Sequence, residues 1–111
     1  MQYLLMIYGD PEAWERATDE ERGEMYARYE AVSAIPGILG GAELAARDTA
    51  TTVRVRNGQT LTTDGPFADM KESIGGYYLF EAESLDDAIA VAARIPGAAT
   101  GAVEVRPLVE H

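Results

Sequence analysis

The chain has 111 residues, 47% hydrophobic and 25% charged, which suits one soluble domain with a modest core and excludes a disordered chain. Its net charge of −10 and scattered arginines exclude the dense basic patch that a phosphate backbone rewards, so no nucleic-acid partner is expected. There is no cysteine, and the one histidine is the terminal His111. Disulfides, a catalytic thiol, thiolate metal sites and a buried His base are therefore not expected, and neither is a metal or a cofactor.

The opening stretch, MQYLLMIYG, lacks a basic n-region and a small-residue cleavage site, so it reads as a strand and not as a signal peptide. No apolar run approaches the roughly 20 residues that span a bilayer. A cytoplasmic location with no membrane partner follows as the expectation, and the lack of cysteine agrees with it. Within QYLLMIY, Tyr3, Leu5 and Ile7 share one face while Leu4 and Met6 share the other, so the strand is apolar on both sides. Tyr8, Gly9 and Asp10 close it, with Asp10-Pro11 as a turn and Trp14 as an anchor of the following loop or helix start.

Thr18-Asp-Glu-Glu21 has the capping-box pattern, and Met25, Tyr29 and Val32 follow at helical spacing up to the stop at Pro36-Gly37. A second unit repeats this order. GYYLFEA reads as a strand, Ser84-Leu-Asp-Asp87 as a helix start, and Leu85, Ala88, Ile89 and Ala92 as a buried stripe. Pro96-Gly97 is the stop and GAVEVRPL the last strand. Ile35-Pro-Gly and Ile95-Pro-Gly are each followed at the same offset by Gly-Ala, at Gly41-Ala42 and Gly101-Ala102. The chain is thus β-α-β, an insert, then β-α-β: an α+β, ferredoxin-like arrangement with helices on one face of an antiparallel sheet.

The insert, TTVRVRNGQTLTT, is a hairpin turning at Asn57-Gly58. A two-residue turn pairs Arg56 with Gln59 and Arg54 with Leu61, and sets Val53 and Val55 opposite Thr62 and Thr60. Neither face is cleanly apolar, so the hairpin is expected to project or to pack on a partner. Two helices cover only one sheet face, while strand residues of both parities are apolar. A symmetric homodimer with sheets face to face would cover the second face.

DGPFADMKE, Asp64 to Glu72, contains the only lysine in the chain, Lys71. Pro66 has no N–H, so Asp64 lacks the amide that an Asp at a turn usually bonds, although it can still cap Phe67. Gly65 and Gly75-Gly76 punctuate both ends. On one reading the loop is structural: Asp64 caps, Phe67 anchors, and Lys71 and Glu72 are solvated. On the other, Asp64, Lys71 and Glu72 are catalytic, with a carboxylate as the base and Lys71 stabilising a developing oxyanion. Tyr8, Asp10, Phe67 and Tyr77 would then line a ligand site at the end of the sheet.

YLLMIYGD, TATTVRVRNG, TDGPFADMKE, GGYYLFEA and VEVRPL together resemble the YCII-related proteins, in their DGPF-domain branch, from Tyr3 to Leu108. The resemblance implies a ferredoxin-like dimeric α/β-barrel similar to those of muconolactone isomerase and small cofactor-free monooxygenases. It says less about activity. The His-Asp pair of other YCII-related proteins has no counterpart, because no internal histidine exists here. Asp69-Met70 departs from the branch's Glu-Thr, and Tyr29 to Gly41 is about one helical turn short. Two functions follow as expectations. One is proton transfer on a small organic molecule in the manner of an isomerase or lyase. The other, implied by the branch's association with extracytoplasmic-function sigma factors, is a non-catalytic ligand-sensing or regulatory module acting with such a factor.

Overall fold

A computed structural model describes residues 1–67 and 72–111. Strand β1 (Gln2–Gly9) is followed by helices α1 (Pro11–Arg16) and α2 (Asp19–Ser33) and by strand β2 (Ile38–Glu43). Strands β3 (Thr51–Arg56) and β4 (Gln59–Asp64) precede β5 (Ser73–Glu81). Helices α3 (Leu85–Ala92) and α4 (Gly97–Thr100) lead to β6 (Ala102–Pro107). The main sheet has the order β2-β5-β1-β6 with antiparallel neighbours, and β3 and β4 form a separate two-stranded sheet. This is the ferredoxin-like α+β arrangement that the two βαβ units predict.

β1 lies at the centre. Leu5 pairs with Tyr78 of β5 on one side and Val105 of β6 on the other. Its Tyr3, Leu5 and Ile7 face the helices with Tyr78 and Phe80, and Leu5, Ala88 and Ile95 are almost completely buried. Helix α2 starts where its sequence says it should. Thr18 Oγ1 accepts from the Glu21 amide at 3.1 Å, and Glu21 accepts from the Thr18 amide at 3.0 Å, which satisfies two otherwise orphaned donors.

The second helix differs from its predicted stripe. Ala88 and Ala92 are buried and Val91 packs against the core, whereas Leu85 and Ile89 are 50% and 49% exposed. The helix is turned so that its small residues meet the sheet, and Ile95 beyond its end supplies the bulk that Leu85 and Ile89 do not. Its end also comes earlier than Pro96-Gly97, at Ala92, and Gly97 opens the single turn α4. Helix α1 follows the turn at Asp10-Pro11, where the sequence left a loop or a helix start open. Trp14 sits on it, edge-on to Tyr26 of α2 at 5.4 Å, while Arg22 donates to the carbonyls of Trp14 and Glu15 that end it.

The repeated Gly-Ala has a packing reason. A Cβ on Gly41 would collide with the Tyr77 carbonyl oxygen of β5, and one on Gly101 with the Tyr8 carbonyl oxygen of β1. Each βαβ unit thus needs a glycine where its returning chain crosses close to a central strand. The turns before them match as well: the Ile38 amide donates to Ile35 O at 3.1 Å, and the Ala98 amide to Ile95 O at 2.9 Å.

The hairpin has the predicted register, with Arg56 opposite Gln59, Arg54 opposite Leu61, Val53 opposite Thr62 and Val55 opposite Thr60. Asn57 and Gly58 take φ of 52° and 75°, as a type I′ turn requires. The other face of the main sheet, with Leu4, Met6, Tyr8, Tyr77 and Leu79, has no described helix over it and stays partly or fully exposed. No described helix is long and apolar enough to cross a membrane.

Leu5 is closed in by helices and sheet together, so Leu5→Ala leaves a cavity as well as losing contacts. It is expected to cost about 2–5 kcal/mol, measured by urea unfolding.

Candidate active site

The uncovered sheet face is built in rows. Ala42, Tyr77, Met6 and Glu104 lie side by side across β2, β5, β1 and β6, and Gly40, Leu79, Leu4 and Arg106 form the next row. Alternation along β6 explains the charges: Val103 and Val105 turn to the core, so Glu104 and Arg106 turn to this face. Arg106 Nη2 donates to Glu104 Oε2 at 2.6 Å, both side chains remaining partly exposed.

At one end of this face a shallow cleft of about 320 Å³ is lined by Tyr8, Glu72, Ala102 and Glu104. The register assembles it. Tyr8 is opposite Ala102 on β6, and Gly9 is opposite Ser73, which places Glu72 beside the end of β1. A bulge between Ile7 and Tyr8 shifts the pairing so that Tyr8 meets Ile74. Such bulges re-aim side chains at sheet ends. The Tyr8 hydroxyl lies 4.0 Å from Met6 Sδ. A phenol and two carboxylates therefore converge on one cleft. They can accept protons and hydrogen bonds from a small ligand and return a proton to it.

Among the residues singled out from the sequence, Tyr8 and Glu72 line this cleft, and Tyr77 stands on the same face one column away, opposite Met6. Asp10 caps α1, its Oδ1 accepting from the Glu12 amide at 2.9 Å. Asp64 ends β4 opposite Thr51. The next residue, Gly65 (φ 98°), donates to Ala50 O at 2.7 Å and accepts from Thr52 Oγ1 at 2.9 Å. Phe67 is 77% exposed, with the Arg54 guanidinium 5.1 Å from its ring centre. Lys71 lies outside the described residues. Ala102 and Glu104 were not singled out. The available signal was a charge at alternate positions of VEVRPL, on a strand whose partners are apolar on that face.

A second groove, of about 390 Å³, runs along β2 between Ser33, Ile38–Ala42 and Tyr78. Behind it the Tyr78 hydroxyl donates to Tyr29 O at 3.0 Å, and the Tyr29 hydroxyl accepts from the Gly97 amide at 3.1 Å. These bonds tie α2 to β5 and α4, and they are structural in character.

The family model for the YCII-related domain matches residues 1–111. The chain belongs to the YCII-related family. A relative in this family, the uncharacterized protein R00369 of Rhizobium meliloti (strain 1021), is 36% identical over 114 residues, covering 97% of this chain and 92% of the relative. A solved structure with the same fold is 5-chloro-2-hydroxyhydroquinone dehydrochlorinase (TftG) from Burkholderia phenoliruptrix AC1100, in complex with 2,5-dihydroxybenzoquinone. The similarity spans 100% of this chain and 96% of that one, with a TM-score of 0.52 and 18% identity. At that identity the likeness establishes the fold.

Burial raises the pKa of the Tyr29 phenol, and the Gly97 amide opposes this in part. A raised phenol pKa favours the folded state while the phenol is neutral. That contribution is complete below the unfolded value, about 10, and is lost as pH rises through the folded value. Thermal unfolding between pH 8 and 11 is expected to show an alkaline loss of stability that is smaller in Tyr29→Phe.

Proposed function

We propose that this protein is a homodimer that binds a small organic molecule in the cleft of Tyr8, Glu72 and Glu104 and moves a proton on it, in the manner of an isomerase or lyase. The observation that carries the reading is the convergence of two carboxylates and a phenol in one cleft of the uncovered sheet face. A carboxylate removes a proton from carbon next to a carbonyl, and the electron pair passes to the carbonyl oxygen. The proton is then returned at another carbon, or a leaving group departs with the electron pair. Glu72 is the assigned base, with Asp64 as the further carboxylate of the loop. Lys71, adjacent in sequence to Glu72, is the assigned cation for the developing oxyanion. Tyr77, on the same sheet face, supplies an apolar wall of the ligand site, whereas Phe67 stays against Arg54 of the hairpin. Asp10, through its cap on α1, holds the chain that leaves Tyr8.

The dimer rests on the same face. Leu4, Met6, Leu79 and Tyr77 are apolar and no described helix covers them. Leu4, Met6 and Leu79 are already partly buried, so covering each contributes a fraction of the about 1.5–3 kcal/mol of full burial. A second sheet laid over the first also gives the shallow cleft a roof and removes water from it, which strengthens every charge interaction inside.

A small hydroxylated quinone is a suitable probe, because the fold neighbour TftG was solved with 2,5-dihydroxybenzoquinone. Calorimetric titration of this compound is expected to detect binding to the wild type, and binding at least about tenfold weaker to Glu72→Gln and Tyr8→Phe. Glu72 is exposed, so its variant should keep its unfolding free energy within about 0.5 kcal/mol. Equal affinity in both variants would remove the cleft from the reading. Light scattering at micromolar concentration is expected to give twice the 12.0 kDa chain mass, and Leu79→Asp to shift it toward the monomer.

A further inference from the structure

The four strands of the main sheet contain a single basic residue, Arg106 of β6. Alternation along β6 puts it on the uncovered face, since Val103 and Val105 pack against the core. Its Nη2 lies 2.6 Å from Oε2 of Glu104, and Glu104 lines the cleft with Tyr8 and Glu72. The guanidinium thus reaches back to the edge of the cleft from a backbone position one row further along, opposite Leu4.

Holding Glu104 uses little of what Arg106 offers. A guanidinium has five N–H donors in a fixed fork, and among the described residues only Glu104 accepts from it. The two side chains are 68% and 42% exposed. An exposed ion pair contributes only about 0–1 kcal/mol, so a second carboxylate can join or displace Glu104 at small cost. A ligand carboxylate can also take two parallel N–H bonds from the fork, where Glu104 takes one.

We propose that Arg106 anchors an anionic group, so that the cleft takes a small organic acid with its carboxylate at Arg106 and its other end at Glu72 and Tyr8. The inference rests on the ligand site proposed above and names the class of ligand that enters it. Charge decides the orientation. Glu72 repels an anion, whereas Arg106 offsets Glu104 and attracts one. Length limits the size. Glu104 and Ala102 are two residues apart on β6, a rise of about 7 Å, and the cleft holds about 320 Å³. One ring bearing a carboxylate matches that span.

Calorimetric titration of the whole chain with 2,5-dihydroxybenzoate and with hydroquinone, which differ only in the carboxylate, tests this. The wild type is expected to bind the acid at least about tenfold more tightly, a preference that shrinks as ionic strength rises. Arg106→Gln should lose the preference by weakening the acid alone. Arg106→Lys should keep part of it, because an ammonium retains the charge and loses the fork. Arg106 is exposed, so thermal unfolding of both variants should match the wild type. An equal preference in the wild type and Arg106→Gln overturns the anchor; if Glu72→Gln meanwhile weakens both probes, the cleft stands as the ligand site. Weakening of both probes alike by Arg106→Gln gives Arg106 the task of holding Glu104 and also overturns the anchor. If Arg106→Gln removes the preference while Glu72→Gln changes neither affinity, the anchor holds and the role given to Glu72 falls. A wild type that binds both probes equally, or neither, overturns the inference.

Discussion

β1 is hydrogen-bonded along both edges and apolar on both faces, and the rest of the structure is arranged around that constraint. Pairing on both edges satisfies its backbone, while its apolar side chains on either face still gain from being covered. Helices α2 and α3 answer for Tyr3, Leu5 and Ile7. Leu4, Met6 and Tyr8 remain on a face that no described helix covers. This imbalance creates a stable core on one side. On the other it leaves a surface where a ligand or a second sheet gains most from displacing water.

The fold is economical because the same solution is used twice. In each half the helix ends in an Ile-Pro-Gly turn, and the returning chain passes close to a central strand at a glycine, Gly41 against Tyr77 and Gly101 against Tyr8. Close passage sets the sheet order, since the returning strands can then take the two outer positions. The halves differ where they need not agree. α2 fills its side of the core with Val32 and Tyr29, whereas α3 presents Ala88 and Ala92 and leaves the volume to Ile95.

The cleft follows from the end of this sheet. Tyr8, Ala102 and Glu104 come together because β1 and β6 are paired, and Glu72 joins them because β5 begins beside Gly9. Its chemistry is that of oxygen acceptors on a partly apolar floor, with Arg106 held by Glu104 at its margin. Membership of the YCII-related family and the fold shared with TftG agree on the scaffold. What such a scaffold does is set by the side chains of its sites and not by the fold.

The sequence by itself determined the elements whose signals are local. The alternation of QYLLMIY, the capping box at Thr18 and the Asn57-Gly58 turn each depend on residues within a few positions of one another, and each is found with the expected register or hydrogen bonds. The internal repeat carried the topology as well, because two βαβ units leave few ways to pair four strands. Only the tertiary structure decided which face of α3 is buried, since a helix rich in alanine has no single bulky stripe to orient it and close approach to the sheet selects the small side. Glu104 joined the site for a similar reason. It stands opposite Met6 and shares the cleft with Tyr8, residues most of the chain away in sequence, and only the pairing of the first strand with the last brings them together.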